Sequence, residues 1–437
     1  MARTASRIVL GILLALALLA ATTPSLLPGR DGATQQLAAA AIFVASYAAL
    51  AMGKIPGMSI DRAGVALVGA SLMVAAGALP LEDAYKAIDL GTLTLLLGMM
   101  IVVANLRLSG FFAVANAWIA TRARRPVGLL AAVILISGVF SAFLVNDAIC
   151  LVLAPLVADL AKAARRNPVP YLLAVALASN VGSVATITGN PQNIMIGNLS
   201  GIPYTTFAIA MTPVALAGLV ATFVLLVLLY RREFLNDERL APVRRAEHVN
   251  RVLIGRSLVA AVAVVTLFFA GQPPAKAAIV VGGLLLLTRR VRSARVYAEI
   301  DWSLLLMFSG LFIIVAGAEH ALLTPGLLAD AGRLHLEQPW MLSASTAVLS
   351  NVVSNVPAVL MLKPFVAALP DTARAWLLVA MASTLAGNFT VLGSIANLIT
   401  IEKAARKGIT IDFWVFARVG MPLTLFTLLA GTWWLGR

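Results

Sequence analysis

The chain has 437 residues, of which 61% are hydrophobic and only 12% are charged, so its composition differs strongly from that of a soluble domain. Its net charge of +14 comes from short basic clusters between apolar runs, which favours cytoplasmic loops over a nucleic-acid-binding surface. The single cysteine excludes an internal disulfide and a thiolate metal cluster, and three histidines without an HExxH motif argue against an intramembrane metalloprotease. We therefore expect a membrane protein that is not an enzyme and has no bound cofactor.

Apolar runs close to the roughly 20 residues needed to cross a bilayer predict an all-α polytopic membrane protein. The runs fall at 8–28, 37–52, 63–79, 90–106, 171–197, 206–230, 252–271, 277–288, 302–318, 375–400 and 412–435. The first run follows Arg3 and Arg7 and is either a cleaved signal peptide or a retained helix. Because no good small-residue cleavage site follows it, we favour a retained helix. Residues 1–87 are therefore assigned to N-terminal scaffold helices.

The next part, residues 88–230, forms the first of two repeats. It contains a long apolar segment, 127–161, that has arginines or lysines on both sides. If both flanks are cytoplasmic, this segment enters and leaves on the same side, as a re-entrant hairpin. The apolar run at 171–197 contains the sequence Gly-Asn-Pro-Gln-Asn at 189–193, which predicts a broken helix.

The second half begins after a charged stretch, 231–251, which is predicted to be a cytoplasmic linker. Residues 252–299 are assigned to further scaffold helices, and residues 300–437 to the second repeat. Its long apolar segment, 341–369, has balanced flanking charges and fits a hairpin that enters from outside. The run at 375–400 is predicted to be a second broken helix.

The distribution of basic residues predicts the orientation of the chain in the inner membrane. With this assignment, 24 lysines and arginines lie in cytoplasmic stretches and six in external ones. This bias supports about eleven transmembrane helices plus two re-entrant hairpins, with the N-terminus in the cytoplasm and the C-terminus outside.

Internal sequence similarity relates the two repeats. Three pairs of segments match: 88–104 with 300–316, 140–157 with 349–366, and 178–193 with 382–397. The first member of each pair begins on the opposite side of the membrane from the second, which predicts inverted-topology repeats. Matching breaks in the two halves of a transporter indicate its binding site, because polar backbone at membrane depth must line a cavity.

The candidate substrate- and ion-binding residues come from the hairpin tips and the breaks. They are Asn146, Asp147, Ser354 and Asn355 in the tips, and Thr186, Gly189, Asn190, Asn193, Thr390, Gly393, Ser394 and Asn397 in the breaks. An asparagine at a tip either caps free helix ends or binds a ligand in a cavity. Asp147 is the one carboxylate predicted deep in the membrane, and it is a proton acceptor, a sodium ligand or a first-turn acid stabilised by the helix dipole.

The chain resembles the ion transporter superfamily that includes arsenite permeases, citrate transporters and divalent anion:sodium symporters. The motifs that carry the resemblance lie at 89–112, 145–157, 179–194 and 350–362. The resemblance implies a homodimer in which the hairpins and broken helices move together as an elevator.

The resemblance also implies ligands at the tips and breaks. In the dicarboxylate symporters, Ser-Asn-Thr tips contact sodium and substrate. Here Val145 and Asp147 replace the serine and threonine of the first tip, and Val356 replaces the threonine of the second. The lost hydroxyls and the added carboxylate disfavour a dicarboxylate substrate. Candidate sodium-binding groups by resemblance are at Asn146, Gly189, Asn355 and Gly393.

These observations predict a secondary active transporter that moves a small anion or oxyanion, coupled to protons or sodium. Two alternatives stay open. In a sodium/proton antiporter, Asp147 would be the exchanging carboxylate. A passive channel is suggested by a superficial likeness of residues 190–192 to the Asn-Pro-Ala boxes of aquaporins. The predicted partners are a small anion, the lipid bilayer and a second copy of the chain, with no nucleic acid.

Overall fold

A computed structural model describes residues 32–52, 60–122, 124–235, 251–287, 291–322 and 334–437. The predicted N-terminal helix at 8–28 and most of the predicted linker at 231–251 lie outside these described residues. Every regular element in the described part of the chain is a helix, which confirms the predicted all-α class.

Eleven α-helices belong to the first half of the described chain. They are α1 (Gly32–Met52), α2 (Arg62–Ala75), α3 (Leu81–Ala87), α4 (Leu90–Ser109), α5 (Phe111–Arg122), α6 (Pro126–Phe143), α7 (Asn146–Ala163), α8 (Pro168–Ser183), α9 (Pro191–Ser200), α10 (Tyr204–Leu229) and α11 (Arg231–Phe234). Short 3₁₀ turns at Ile187–Gly189 and Val391–Gly393 interrupt the two halves at matching places.

Nine α-helices belong to the second half of the described chain. They are α12 (Arg251–Phe269), α13 (Pro274–Leu286), α14 (Ser293–Tyr297), α15 (Trp302–Leu322), α16 (Pro339–Val353), α17 (Asn355–Ala367), α18 (Thr372–Ala386), α19 (Ile395–Ala405) and α20 (Phe413–Leu435). Six described helices, α4, α6, α10, α12, α15 and α20, have the length and apolar composition to cross a bilayer, and several shorter apolar helices accompany them.

The segment predicted as the first hairpin consists of α6 and α7, which run in opposite directions. Gly138 of α6 lies against Gly182 of α8, and four residues later Thr186 donates a hydrogen bond to the Ala142 carbonyl, so α6 and α8 are parallel. In α7, Asn146 contacts α8 near its end while Cys150 approaches α8 further back, so α7 and α8 are antiparallel. Leu144 and Val145 form the turn between the two arms.

The second hairpin consists of α16 and α17, and Ser354 separates its arms. The start of α16 packs near Gly436 at the end of α20. The other end of α16 reaches the C-terminal part of α18, where Asn351 donates to the Ala386 carbonyl at 3.1 Å. A short connection then joins α17 to the start of α18. The polypeptide therefore turns back at Ser354 and returns to the end from which α16 began.

The helices outside the hairpins and broken helices, including α4 and α15, are here called the scaffold. They pair crosswise between the halves through close backbone contacts. A Cβ added at Gly98 of α4 would lie 2.5 Å from the Ala278 carbonyl carbon of α13. A Cβ added at Gly310 of α15 would lie 2.6 Å from the Ala66 carbonyl carbon of α2. Gly98 and Gly310 occupy matching positions in the repeats, and small residues are what allow such close approach between membrane helices.

Candidate functional site

The two breaks have the same local construction. Helix α8 ends at Ser183, a 3₁₀ turn follows, and Asn190 then caps α9 by accepting a hydrogen bond from the Asn193 amide at 2.9 Å. In the second half Ser394 occupies the matching cap position and accepts from the Ala396 amide at 3.2 Å. Short polar caps at these positions satisfy N–H groups that a helix start leaves free, so each helix restarts in the protein interior.

Two matched asparagines satisfy the carbonyls that each break leaves open. The Asn193 side-chain amide donates to the Ser183 carbonyl at 3.2 Å and the Thr186 carbonyl at 3.1 Å. The Asn397 amide makes the equivalent bonds, to Gly387 at 2.8 Å and Thr390 at 3.1 Å. Both asparagines are fully buried. Their amide groups are therefore used to hold the breaks together, because an unpaired buried carbonyl is costly.

Asn180 joins the two halves at the centre of the molecule. Its Oδ1 accepts from Asn146 Nδ2 at 2.9 Å and from Ser394 Oγ at 3.1 Å. Its Nδ2 donates to Asn388 Oδ1 at 2.8 Å and Asn397 Oδ1 at 3.0 Å. Every donor and lone-pair direction of this amide has a partner. Asn180 therefore connects a hairpin tip of the first half to the break of the second half.

Thr384 occupies the matching position in the second half and has a related role. Its Oγ1 accepts from Asn190 Nδ2 and from Gln192 Nε2, both at 3.1 Å. It also approaches Asn193 Oδ1 at 3.4 Å. Asn180 of the first half and Thr384 of the second half therefore each form hydrogen bonds with side chains of the other half.

Both hairpin tips carry a non-glycine residue with a left-handed backbone. Val145 has φ 38° and Ser354 has φ 79°, conformations that side chains with a Cβ rarely adopt. Strain of this kind costs on the order of 1–3 kcal/mol per residue and is found mainly at functional sites. At the second tip, Asn355 Oδ1 accepts a hydrogen bond from Ser350 Oγ at 2.6 Å. At the first tip, Asn146 Oδ1 is buried and has no hydrogen-bond partner in the described chain.

The tips and the restarted helices meet at one cavity of about 40 Å³. Four helices of the hairpins and breaks begin at its wall: α7 and α17 at the tips, and α9 and α19 after the breaks. Its polar lining residues are Arg62, Asn146, Asp147, Gln192, Ser354, Asn355 and Ser394. Helix N-termini carry partial positive charge, so this wall favours a ligand with negative charge.

Asp147 lines this cavity and also a second one of about 120 Å³. The second cavity is lined by Arg107, Glu299 and Asp301, and Arg107 forms an ion pair with Glu299. No hydrogen bond or ion pair to the Asp147 carboxylate occurs within the described ranges. Asp147 therefore lies where a carboxylate can contact both cavities.

The structure brings together five of the twelve residues that the sequence predicts. Asn146, Asp147, Ser354, Asn355 and Ser394 line the 40 Å³ cavity. The other seven lie in the breaks behind it and are not lining residues: Thr186, Gly189, Asn190, Asn193, Thr390, Gly393 and Asn397.

Sequence reasoning missed Arg62, Asn180, Gln192 and the position of Asp301 beside Asp147. Gln192 and Asn180 lie inside the repeated motif and would have been found by taking every polar residue of it. Asp301 directly precedes α15, and its Oδ1 accepts from the Leu304 amide at 3.0 Å. No sequence signal placed Arg62 in the cavity.

Comparison with known proteins places the chain among transporters. The citrate transporter family (CitMHS) matches residues 47–386. An uncharacterized transporter of Mycobacterium tuberculosis is 30% identical, over 89% of this chain and 95% of that protein. A silicon efflux transporter of Oryza sativa subsp. japonica is 29% identical, over 86% of this chain and 93% of that protein.

A solved structure shares the fold. The crystal structure of the Alcanivorax borkumensis YdaH transporter superposes with a TM-score of 0.59 at 15% identity, covering 92% of this chain and 97% of that one. Together with the apolar helices, the family match confirms the predicted class of multi-pass membrane transporter and the predicted absence of an enzymatic role. The chain is a member of the citrate transporter family, within the group of ion transporters that its motifs resemble.

Proposed function

We propose that the protein is a secondary active transporter of a small oxyanion, working by alternating access. The observation that carries this proposal is the convergence of both hairpin tips and both restarted helices on one cavity. A binding site built from two inverted repeats is the arrangement that alternating access uses, because each half can open on its own side.

The size of the cavity supports a small substrate. A cavity of about 40 Å³ is several times the roughly 10–15 Å³ that one water needs, so the site has room for a small ligand. The silicon efflux transporter among the relatives is named for silicon, which agrees with a small inorganic substrate.

The site is proposed to face the cytoplasm in this structure. Arg62 and Leu304, which line the smaller cavity, and Arg107 and Glu299, which line the larger one, lie at scaffold helix ends predicted to be cytoplasmic. We propose that the hairpins are re-entrant, and that they move with the broken helices as an elevator against the scaffold of a homodimer in the inner membrane. The orientation proposed is N-terminus inside and C-terminus outside.

Coupling is proposed to involve Asp147. Its carboxylate lines both cavities and has no partner within the described ranges, so it can exchange a proton or contribute to a sodium site together with tip and break groups. The same observation favours sodium/proton antiport as the second candidate function. In that case Asp147 exchanges the ions and no oxyanion is carried.

Counterflow in proteoliposomes tests the proposal. Vesicles loaded with unlabelled arsenite, arsenate or phosphate should transiently accumulate the same labelled compound, since a carrier exchanges substrate across the membrane. A passive channel gives equilibration without accumulation. An antiporter without an oxyanion substrate gives sodium-driven pH changes and no labelled uptake.

A further inference from the structure

Arg62 is placed at the cavity by the scaffold rather than by the hairpins. It is the first residue of α2, directly after Asp61, whose Oδ1 caps the helix by accepting from the Gly64 amide at 2.8 Å. Helix α2 packs tightly on α15 of the scaffold. Arg62 lines the cavity beside the apolar side chains of Leu50 and Met307, while the tips contribute the polar wall.

The guanidinium of Arg62 has no acidic partner in the described part of the chain. Other cations near the apolar helices do: Arg107 pairs with Glu299, and Lys363 Nζ lies 3.2 Å from Glu319 Oε2. Although Asp147 lines the same cavity, no ion pair within 4.0 Å joins it to Arg62. Arg62 is partly buried, and an unpaired cation in a cavity between membrane helices is available to bind an anionic ligand.

The rest of the wall specifies what kind of anion could neutralise this charge. The four helix starts at the tips and breaks carry partial positive charge, which suits anionic oxygens. Asn146 is 4% exposed and its Oδ1 lacks a donor, although its Nδ2 is bonded to Asn180. An unpaired buried acceptor needs an O–H or N–H donor, which the ligand can supply. The wall is therefore complementary to an oxyanion that still carries a hydroxyl group.

We infer that Arg62 binds the negative charge of a hydroxylated oxyanion, and that it makes this contact only in the conformations that bring the hairpin tips next to α2. This inference rests on the proposed function, and names the substrate class and one binding residue of the same site. Because Arg62 belongs to the scaffold, movement of the tips away from α2 breaks the contact. The effect of Arg62 on the apparent affinity for the substrate is therefore greater on the side of the membrane to which the present cavity opens.

The test is transport by full-length protein in proteoliposomes of known orientation. Four compounds serve as test ions at neutral pH: phosphate and arsenate, which are charged and hydroxylated; sulfate, which is charged without a hydroxyl; and arsenite, which is largely uncharged. The variants are Arg62→Gln, Arg62→Met and Arg62→Lys, with Arg374→Gln as the control. Arg374 pairs with Asp371 at 3.3 Å outside the cavity. Arg62→Met fits the apolar surroundings and keeps the test valid if Arg62→Gln does not assemble.

The wild type should transport phosphate or arsenate in preference to sulfate. Both neutral variants should raise KM for that ion by about 10- to 100-fold from one side, since charged hydrogen bonds are among the stronger ones. Arg62→Lys should restore part of the affinity, because it keeps the charge but not the planar fork of donors. Arg374→Gln should leave KM unchanged.

Three results would overturn the inference. If the wild type and the neutral variants transport phosphate or arsenate with equal KM, the assignment of Arg62 is wrong. If sulfate or arsenite is preferred, the assignment of a hydroxylated anion is wrong; in both cases the protein is still a transporter. If the wild type carries none of the four compounds, the oxyanion class itself is wrong, and the proposed function fails with it.

Discussion

Replacement of Asn180 by alanine should destabilise the protein more than any loss of a single hydrogen bond. The substitution removes the acceptor of Asn146 Nδ2 and of Ser394 Oγ, and the donor to the side-chain oxygens of Asn388 and Asn397. All four partners are at most 7% exposed, so water can reach the lost bonds only from the cavity. At about 1–3 kcal/mol for each buried group left unpaired, the loss is about 4–12 kcal/mol before relaxation. We expect a loss in the lower part of this range, because the cavity next to Asn146 can admit water.

The assay is thermal unfolding of detergent-purified protein, followed by counterflow of the surviving fraction. The matched control is Asn167→Ala, which removes one exposed cap bond of 3.0 Å to the Val169 amide and should cost about 1 kcal/mol. Asn180→Ala should lower the melting temperature several times as much as the control and abolish counterflow. Equal shifts for the two variants, or normal counterflow by Asn180→Ala, would refute the role of Asn180 as the junction of the two halves.

Three further predictions follow from single features of the structure. Asp147→Asn should insert and fold but lose the dependence of transport on pH or sodium, measured as initial rates across ion gradients; unchanged dependence would remove the carboxylate from the coupling mechanism. Gly98→Ala should destabilise the scaffold in thermal unfolding, because the added Cβ meets backbone at 2.5 Å, while Gly283→Ala, with open space around it, should be neutral or slightly stabilising. A double-mutant cycle on Lys363→Met and Glu319→Gln should give a favourable coupling of about 0.5–1 kcal/mol, since the pair is only partly exposed, and zero coupling would show that Lys363 acts independently of Glu319.

Much of the fold could be predicted because its strongest signals are local. Apolar runs gave the helices, and the positions of Gly and Pro gave the interruptions, since both depend on residues adjacent in sequence. Caps are local as well: Asp89 directly precedes α4, and its Oδ1 accepts from the Gly91 amide at 3.0 Å. The edges of the helices were less predictable. The run at 277–288, for example, corresponds to a helix of 13 residues, α13.

The candidate site could be predicted only in part, because side-chain partners depend on packing between distant segments. Asn193 and Asn397 were expected at the site because the repeats share them, yet their amides are occupied by backbone carbonyls of their own breaks. Arg62 was counted among cytoplasmic loop residues because a charge at a helix end normally faces water. Its place at the cavity follows from how the scaffold packs around the tips, which no local pattern encodes.

The same limit explains why the ion pair of Lys363 is not predicted from the sequence. From sequence alone, a lysine near the end of an apolar run is expected to extend to the membrane interface. In the structure it pairs with Glu319, which lies 44 residues earlier in the chain and whose second oxygen is buried without a partner in the described residues. Pairing across this separation requires α17 to pack on α15, and such a contact is visible only in the folded protein.

The central claim is that two interrupted halves form one shared, water-filled pocket. Its most direct test is cysteine labelling in a Cys150→Ala background. One cysteine is introduced into the pocket wall from each half, by Gln192→Cys or by Ser354→Cys. A membrane-impermeant thiol reagent should label both from the cytoplasmic side, and a single transported oxyanion should protect both at the same concentration. The claim is contradicted if the substrate does not protect one of the two cysteines from labelling. It is also contradicted if either cysteine reacts only with a lipid-soluble reagent.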